Sequence, residues 1–390
     1  MSRYLRKFQE AFRKGDLILL LICVVINVFG ILMIASTTNH MGNTRFIIVQ
    51  SIASLLGIFM FVLISSIDAE VFSEHRYWLV VFNIFLLLLL IPFGTDNGSG
   101  NKSWLNFPFL PVDIQPAEIC KITYVLIMAS VMASYQNRIS SLRAIIMMVV
   151  QLGILAGLNM ALSSDLGVTL IFVFIFIGMA FTGGVSSIWF LAAGGGVAAL
   201  FPVLWSFLDK YQRLRIEVLF NPDLDPLGVD ARYHTVRALR SLTGGGMTGQ
   251  GLFQGHRTQT SGALFAQHTD YIFAAIGEEL GFVGCAMVVI AMAILIGRCI
   301  WVGTRSQDYL RRMICFGAAS ALIFQVTSNI GMCVGITPVI GLTLPFVSYG
   351  GSSIVTLYTM LGLVSGVYAR PAPTSQERYI RPPYMVRSKY

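Results

Sequence analysis

The stretch QHTDYIFAAIGEELG, residues 267 to 281, places three carboxylates at the start of a long apolar segment. Asp270 stands where a polar loop gives way to that segment, and Glu278 and Glu279 follow it on the apolar side. In a continuous α-helix the glutamates would lie about 12 to 13 Å beyond Asp270. A carboxylate near the centre of a bilayer costs about 2.5 to 3.5 kcal/mol, so we expect this pair to face protein or a water-filled cavity inside the membrane.

The composition of the chain is that of a membrane protein. Of its 390 residues, 55% are hydrophobic and only 12% are charged, and the mean hydropathy is +0.73. These values exclude an ordinary soluble enzyme. The six cysteines lie in or beside apolar runs, with no Cys-x-x-Cys pair and no histidine cluster at ligand spacing. We interpret them as small core residues and predict neither a disulfide framework nor a metal site.

Ten apolar segments are long enough to cross the bilayer's hydrocarbon core, which is about 30 Å thick. They are residues 17–36, 46–67, 78–93, 119–135, 144–162, 168–184, 188–208, 271–296, 313–334 and 354–368. The first is longer than the apolar part of a usual signal peptide, and many spans follow it, which disfavours cleavage. We therefore predict an all-α, multi-pass integral membrane protein that forms one domain over residues 1–390. Because the number of spans is even, both termini are expected on the same side.

The distribution of Lys and Arg indicates which side that is. Basic residues occur in residues 1–16, in the segment from Arg298 to Arg312, in residues 370–390, and in the other loops of the same side at Arg76, Arg138 and Arg143, whereas the loops of the opposite side before the seventh span carry only Arg45 and Lys102. The positive-inside rule then predicts that both terminal tails, 1–16 and 370–390, are cytoplasmic. The long loop of residues 209–270, between helices 7 and 8, is predicted to be extracytoplasmic.

That long loop is polar and basic, although it faces the side that usually has few cations. Long loops escape the positive-inside rule, so the predicted topology is unaffected. Its basic residues are Lys210, Arg213, Arg215, Arg232, Arg237, Arg240 and Arg257. A cationic outer loop predicts an anionic ligand, with Arg215, Arg240 and Arg257 as candidate binding residues; the alternative is a solvated charged loop. The loop's glycine run from Gly244 to Gly251 indicates a flexible or closely approached backbone, but it lacks the pattern of a nucleotide-binding loop.

Three further charged residues lie at the ends of apolar segments. Glu118 and Lys121 are three residues apart and share a helix face, so they form either a self-contained ion pair or part of a binding site. Asp165 follows two serines between two apolar runs, where an N-cap is the commonest role for an aspartate. Thr269 or Asp270 could cap the helix that begins at Tyr271. A carboxylate at that positive helix end would also stay ionised and available as a base.

The segment LPFVSYGGSS, residues 344–353, resembles the hallmark of the SEDS (shape, elongation, division and sporulation) family, and it contains Pro345, Ser348, Gly350 and Gly351. Other motifs resemble the family's in the expected order across nearly the whole chain. They are QPAE (115–118) with Lys121, DLG (165–167), NP (221–222) with DPLG (225–228), the glycine run 244–251, HTD (268–270) through EELG (278–281), and NIGM (329–332).

This resemblance implies a ten-helix peptidoglycan glycosyltransferase of the bacterial cytoplasmic membrane. Such an enzyme polymerises lipid II into a lipid-linked glycan and works with a class B penicillin-binding protein, the transpeptidase that cross-links the product. Asp270 matches the family's essential aspartate and is the expected general base, while Glu118 and Lys121 match its characteristic glutamate and lysine. Asp165, Glu278 and Glu279 match motif positions.

The chain departs from the family pattern at three places. Ser164 stands where Pro is usual, residues 264–266 replace a usual Leu-Pro-Glu, and Arg237 stands where Gln is common. The motif GLTLP (341–345) favours a division-type member, whereas the short terminal tails favour an elongation-type member. The sequence therefore leaves the elongation, division and sporulation branches open.

The expected chemistry agrees with the residue types. Extending a lipid-linked glycan requires a base for the attacking hydroxyl and cations for the diphosphate leaving group, which Asp270 and the basic loop could supply. An inverting displacement needs no covalent nucleophile, and no such arrangement is recognisable. A divalent cation, Mg²⁺ or Mn²⁺, could assist, but no ligand cluster requires one. Lipid II and membrane lipid are expected as partners. No nucleic acid is expected.

Two other functions compete with polymerisation. A lipid II flippase or transporter would need a polar path through the bilayer, for which Glu118 with Lys121 and the Glu278–Glu279 pair could serve. A scaffold would need neither a base nor a path. Composition alone does not choose among the three functions, whereas the family resemblance favours the polymerase.

Overall fold

The structure is a computed structural model that describes residues 15–95, 102–106, 113–207, 210–225 and 232–370. Its helices are α1 (Leu17–Thr38), α2 (Arg45–Ser65), α3 (Ala69–Glu74), α4 (Arg76–Leu88), α5 (Leu90–Phe93), α6 (Pro116–Ser134), α7 (Leu142–Ser163), α8 (Leu166–Thr182), α9 (Ser187–Phe207), α10 (Lys210–Phe220), α11 (Tyr233–Gly244), α12 (Ile272–Arg305), α13 (Tyr309–Val334) and α14 (Gly351–Ala369). Two short strands, β1 (Gly94–Thr95) and β2 (Trp104–Leu105), pair antiparallel. Most of the predicted cytoplasmic tails, residues 1–14 and 371–390, lies outside the described residues, as does the segment 226–231.

The predicted helical membrane architecture is confirmed. Among the described residues, eight helical segments are long and apolar enough to cross a membrane: α1, α2, α4 with α5, α6, α7, α12, α13 and α14. Helix α8 and the apolar part of α9, Ser187–Pro202, are shorter apolar helices. Together they account for the ten apolar segments predicted from the sequence.

Three helices that begin at one end of the bundle are shorter than three helices that terminate there. We call the end of the bundle where α1, α7 and α13 terminate the loop end. These three helices have 22, 22 and 26 residues, whereas α6, α8 and α14, which begin at the loop end, have 19, 17 and 19. At about 1.5 Å per residue, the second group is shorter by about 5 to 13 Å. The start of α14 and the loop before it therefore lie within the bundle.

Contacts with α1 show how far this loop enters the bundle. The side-chain amide of Asn27, midway along α1, donates to the backbone carbonyl of Phe346 at 3.3 Å. A Cβ atom on Gly30 would lie 2.7 Å from the Cα atom of Val347. The absence of a side chain at Gly30 is what allows the loop to pack against the middle of α1.

Helix α12 is broken at Gly281, whose φ of 65° and ψ of −163° are not helical. The sulfur of Cys285 lies 3.9 Å from the backbone carbonyl oxygen of Phe273, although these residues would be about 18 Å apart in a straight helix. Residues 272–280, the short arm, therefore fold back beside residues 282–305, the long arm. The sequence predicted one continuous helix with Glu278 and Glu279 deeper than Asp270, and that prediction is wrong.

The tip of this helical hairpin is held by the preceding loop. The backbone amides of Gln250 and Gly251 donate to the carbonyls of Glu278 and Glu279, both at 3.0 Å, and the amides of residues 282 and 283 donate to the carbonyls of residues 246 and 247. The break at Gly281 would otherwise leave these buried groups unpaired. A Cβ atom on Gly249 would lie 2.1 Å from the carbonyl oxygen of Glu279. The predicted close backbone approach of the glycine run is thus confirmed.

The opposite end of the bundle is joined by ion pairs. Asp16 caps α1 and accepts two hydrogen bonds from Arg298 on the long arm of α12, both at 2.9 Å. The guanidinium of Arg298 also lies 4.3 Å from the ring centre of Trp301. Arg311 pairs with Asp68 and Glu70 near the start of α3. These contacts fix the antiparallel register of α1 and the long arm.

Candidate active site

Asp270 lies at the start of the short arm and is partly exposed. Its Oδ2 atom would be 3.6 Å from a Cβ atom on Gly341, a residue with a φ of 67°. No ion pair or side-chain hydrogen bond holds this carboxylate within the described residues. The carboxylate is therefore placed by the backbone that carries it.

That backbone is attached to α13 and to the loop before α14 at three successive carbonyls. The carbonyl of His268 accepts from the amide of Tyr349 at 2.8 Å. The carbonyl of Thr269 accepts from the hydroxyl of Ser348 at 2.6 Å. The carbonyl of Asp270 itself accepts from the side-chain amide of Asn329 at 2.8 Å. The motif around Ser348 thus serves to position the aspartate.

The same contacts give the relative depths of the carboxylates. Glu279 accepts from Ser36, close to the loop end of α1, whereas the loop that binds residues 268–270 contacts Asn27 and Gly30. Gly30 is six residues before Ser36, a distance of about 9 Å along the helix axis. Asp270 therefore lies deeper in the bundle than Glu279, the reverse of the order expected from the sequence.

Asp165 has the predicted capping role and also faces the site. Its Oδ1 atom accepts from the amide of Val168 at 3.0 Å, and its Oδ2 atom accepts from the side chain of Gln115 at 3.1 Å. Close by, a Cβ atom on Gly167 would lie 2.5 Å from the carbonyl oxygen of Ile340. The segment 340–341 therefore contacts both the Asp165 turn and Asp270.

The pKa values of the two aspartates show that the groups interact. Burial raises the pKa of Asp270 to about 6, and the negative charge of Asp165 adds to this rise. Burial also raises the pKa of Asp165; the hydrogen bond from Val168 opposes the rise, the charge of Glu118 adds to it, and the charge of Lys121 opposes it. Asp270, Asp165, Glu118 and Lys121 therefore form one electrostatic cluster.

Glu118 and Lys121 form the ion pair that their spacing predicted. The Nζ atom of Lys121 lies 2.7 Å from Oε1 of Glu118, and both side chains are buried. The hydroxyl of Thr356, on α14, donates to Oε2 of Glu118 at 3.0 Å. The pair thus links α6 to α14 without recruiting Glu278 or Glu279.

Glu278 and Glu279 occupy the hairpin tip and are fully buried. Glu279 accepts four hydrogen bonds, from Ser36 Oγ (2.5 Å), Phe253 N (3.2 Å), Thr258 Oγ1 (2.7 Å) and Gln259 Nε2 (3.2 Å). Glu278 Oε1 accepts from the amide of Arg257 at 2.5 Å, while Oε2 has no partner in the described part of the chain. Neither glutamate shares a hydrogen bond or ion pair with the Asp270 cluster among those residues.

The basic residues of the long loop fall into two groups. Arg237 donates to the carbonyls of Gly262 and Ala263 and lies 4.2 Å from the ring centre of Tyr233, so it holds the loop together. The guanidinium groups of Arg240 and Arg257 have no partner among the described side chains and carbonyls. Arg215 is on α10, but its side chain lies outside the described part.

Within the described ranges, no group of three or more His, Cys, Asp or Glu side chains could hold a metal ion. Magnesium sites often use one or two carboxylates together with substrate phosphates. A cation held mainly by a substrate diphosphate would therefore need few ligands from this chain.

Sequence reasoning missed three residues that support the site. Asn329 and Gln115 belong to motifs that the family resemblance had singled out, but only the structure shows that they bind Asp270 and Asp165. Thr356 carries no sequence signal, because a threonine in an apolar helix usually bonds to its own backbone. It does so here as well, while also reaching Glu118.

Comparison with known proteins gives consistent results along the chain. Residues 16–371 match the FtsW/RodA/SpoVE family of cell cycle proteins. The peptidoglycan glycosyltransferase MrdB of Escherichia coli (strain K12) is 32% identical over 361 residues, which cover 90% of this chain and 93% of that protein. The probable peptidoglycan glycosyltransferase FtsW of Trichlorobacter lovleyi is 32% identical over 362 residues, covering 91% and 93%.

Solved structures show the same fold. A peptidoglycan synthase complex in which polymerization and crosslinking are coordinated contains a chain that is 27% identical, with a TM-score of 0.76 and coverage of 91% of this chain and 97% of that one. The rod shape determining protein RodA of Thermus thermophilus has a TM-score of 0.68 at 24% identity, covering 92% and 98%. From its motifs, its fold and these matches, the chain belongs to the FtsW/RodA/SpoVE family, the SEDS family of peptidoglycan glycosyltransferases.

Proposed function

We propose that this protein polymerises lipid II into glycan strands at the outer face of the bacterial cytoplasmic membrane, for elongation, division or sporulation, with Asp270 as the general base. The observation that carries this proposal is the placement of Asp270. Its carboxylate is partly exposed, has a raised pKa, and is held by three backbone anchors within a cluster that contains one buried cation. A base that is fixed but unpaired can accept a proton from a bound hydroxyl.

The proposed topology places both tails in the cytoplasm and the long loop outside. Arg298, Arg305, Arg311 and Arg312 all lie at the end of the bundle opposite the loop end. Under the positive-inside rule that end faces the cytoplasm. The loop end, with Asp270 and the basic residues Arg240 and Arg257, then faces the compartment in which peptidoglycan is assembled.

The proposed reaction is a displacement with inversion at the anomeric carbon of a lipid-linked donor. Asp270 accepts the proton of the acceptor sugar's hydroxyl as that oxygen bonds to the anomeric carbon. The bond from this carbon to the lipid diphosphate breaks at the same time, and the diphosphate leaves with the electron pair. No covalent enzyme intermediate is required, as in the inverting logic of glycosidases.

Several features would stabilise the diphosphate as it leaves. Lys121 uses one N–H bond on Glu118 and has two further donors. The guanidinium groups of Arg240 and Arg257 have no partner among the described residues, and Arg215 is a further candidate on α10. Helices α6, α8 and α14 also begin at the loop end, and helix N-termini favour anions. A divalent cation bound to the diphosphate itself would add neutralising charge to the same group.

The raised pKa of Asp270 has a direct kinetic consequence. The base works only when it is deprotonated, so activity should be present above its pKa of about 6 and decline as the pH falls through that value. A base with an ordinary aspartate pKa would be ionised over a wider range but would accept a proton less readily.

The proposed partner is a class B penicillin-binding protein that cross-links the product. Support comes from the similarity to a chain of a peptidoglycan synthase complex in which polymerization and crosslinking are coordinated. The competing flippase receives less support, because Glu278 and Glu279 bond to the loop and do not extend the Asp270 cluster into a path.

Replacement of Asp270 by Asn tests the proposal. The amide keeps the size of the side chain, so we expect normal insertion, melting temperature and partner binding, but no polymer from purified lipid II with the partner supplied. Asp308→Asn is a matched control, because Asp308 caps α13 at the opposite end of the bundle; its polymerisation should be unchanged. Near-wild-type polymerisation by Asp270→Asn would refute the assignment. Lipid II translocation without polymerisation by the wild type would favour the flippase.

A further inference from the structure

Asn329 is a fully buried amide on α13 that joins two segments of the site. Its Nδ2 atom donates to the backbone carbonyl of Asp270 at 2.8 Å and to that of Leu342 at 2.6 Å. Both hydrogens of the amide nitrogen are therefore used. A single side chain thus sets the distance between the aspartate and the segment against which its carboxylate lies.

The orientation of this amide is determined by its partners. Carbonyl oxygens only accept hydrogen bonds, so rotating the amide would place Oδ1 against two acceptors at less than 3 Å. With Nδ2 facing the carbonyls, Oδ1 has no partner in the described part of the chain. Leaving a buried acceptor unpaired costs about 1 to 3 kcal/mol. Because the structure bears this cost, we infer that the two donated hydrogen bonds are important for holding the Asp270 and Leu342 carbonyls in place.

The two bonds act on the geometry of the carboxylate. Leu342 follows Gly341, and Oδ2 of Asp270 would lie 3.6 Å from a Cβ atom on Gly341. The sulfur of Cys333, one turn after Asn329, is 3.9 Å from the same Asp270 carbonyl. The end of α13 therefore fixes both the residue that carries the carboxylate and the residue beside it.

We propose that Asn329 is the positioning residue that holds the Asp270 carboxylate in place for proton transfer. This inference rests on the proposed role of Asp270 as the base. Asn329 donates to the backbone of Asp270 and has no bond to its carboxylate, so it acts through Asp270. The prediction is a loss of turnover without a loss of substrate affinity.

The charged and titratable groups around Asp270 make this role measurable. Asp165 faces it from the start of α8, with Glu118 and Lys121 of α6 behind Asp165. Cys333 approaches from α13, and His268 lies on the same segment. Without Asn329 the aspartate can move toward solvent and away from Asp165. Its pKa would then fall from about 6 toward the ordinary value of an aspartate.

The experiment compares Asn329→Leu with Gln325→Leu in the full chain, with lipid II and the partner supplied. Gln325 lies one turn earlier on α13 and is also buried, and its Oε1 atom has no hydrogen-bond partner among the described residues. We expect Asn329→Leu to lose about 100-fold in kcat with KM unchanged, as for a base misplaced by about 1 Å. We also expect the acidic limb of its pH–rate profile to move to lower pH. Gln325→Leu should keep the wild-type rate and profile.

Asn329→Ser provides a second test should the leucine variant fail to fold. Its hydroxyl can donate to only one of the two carbonyls, so we expect an intermediate kcat and a limb shifted in the same direction. A wild-type kcat and profile in either folded variant would overturn the inference, as would an equal loss in Gln325→Leu. If the inference about Asn329 is overturned while Asp270→Asn is inactive in the same assays, the proposed function still stands. If Asp270→Asn is active, the proposed function itself fails.

Discussion

Two groups of buried acids in this protein are stabilised in opposite ways. Glu118 is neutralised by the ammonium of Lys121 at 2.7 Å. Glu279 has no cation within reach among the described residues and instead accepts four hydrogen bonds from hydroxyl, amide and backbone donors. The first solution leaves a cation with spare donors next to Asp165. The four hydrogen bonds to Glu279 hold the loop of residues 253–259 beside α1. Glu279 therefore has a structural role and brings no cation to the site.

The difference follows from where each group lies. Glu118 is in the first turn of α6, and a lysine one turn away on the same face is its partner. Glu279 lies at a helix break that is surrounded by a glycine-rich loop, whose amides and hydroxyls need acceptors. The comparison predicts that the two groups will respond differently to neutral substitutions.

The largest effect is expected from Lys121→Met, which leaves the Glu118 carboxylate buried without its cation. Breaking a buried ion pair on one side costs about 3 to 5 kcal/mol, so the melting temperature in detergent should fall strongly and polymerisation should be lost. The double variant Glu118→Gln with Lys121→Met removes both charges and should recover most of the stability but not the activity. A stable, active single variant would contradict the assigned role.

A smaller loss is expected from Gly249→Ala, which tests the loop that serves Glu279. The added Cβ atom would lie 2.1 Å from the carbonyl oxygen of Glu279, at a φ of 81°. Overpacking of this kind costs about 1 to 3 kcal/mol, to which the backbone strain adds. Gly194→Ala is the control, because a Cβ atom there meets nothing within 4 Å and alanine favours a helix. Equal melting temperatures for the two variants would show that the tip can relax.

The smallest effects should separate the two neighbouring glutamates. Glu279→Gln places an NH₂ group among four donors and should cost about 1 to 3 kcal/mol. Glu278→Gln can turn its NH₂ group toward the position where Oε2 has no partner, so its cost should be below about 1 kcal/mol. Chemical or thermal unfolding of both variants in the same detergent measures the difference. The reverse order would mean that Glu278 has the more demanding surroundings.

Much of the architecture was predictable from the sequence because it depends on hydropathy and on local spacing. The apolar segments, the Glu118–Lys121 pair and the Asp165 cap all follow from residues at most a few positions apart. The same local reasoning also identified Asp270 as the carboxylate at a helix start.

The break at Gly281 could not be predicted in the same way. A helical hairpin and a straight helix bury the same apolar residues, so hydropathy does not distinguish them, and Gly281 is one of 37 glycines. What selects the hairpin is pairing between residues 246–251 and 278–283, which are distant in sequence. The role of Asn329 is hidden for the same reason, because its partners are 59 and 13 positions away.

The attachment of Asp270 to α13 and to the loop before α14 also sets an order of events during synthesis. A nascent chain that ends soon after Arg305 already contains both sides of the hairpin tip and can close it. The groups that anchor residues 268–270 are Asn329, Ser348 and Tyr349, which leave the ribosome later. The carboxylate therefore reaches its final position only after the last helices have been made. An unfinished or truncated chain in the membrane would carry Asp270 without a fixed geometry and so, under the role proposed for Asp270, without polymerising activity.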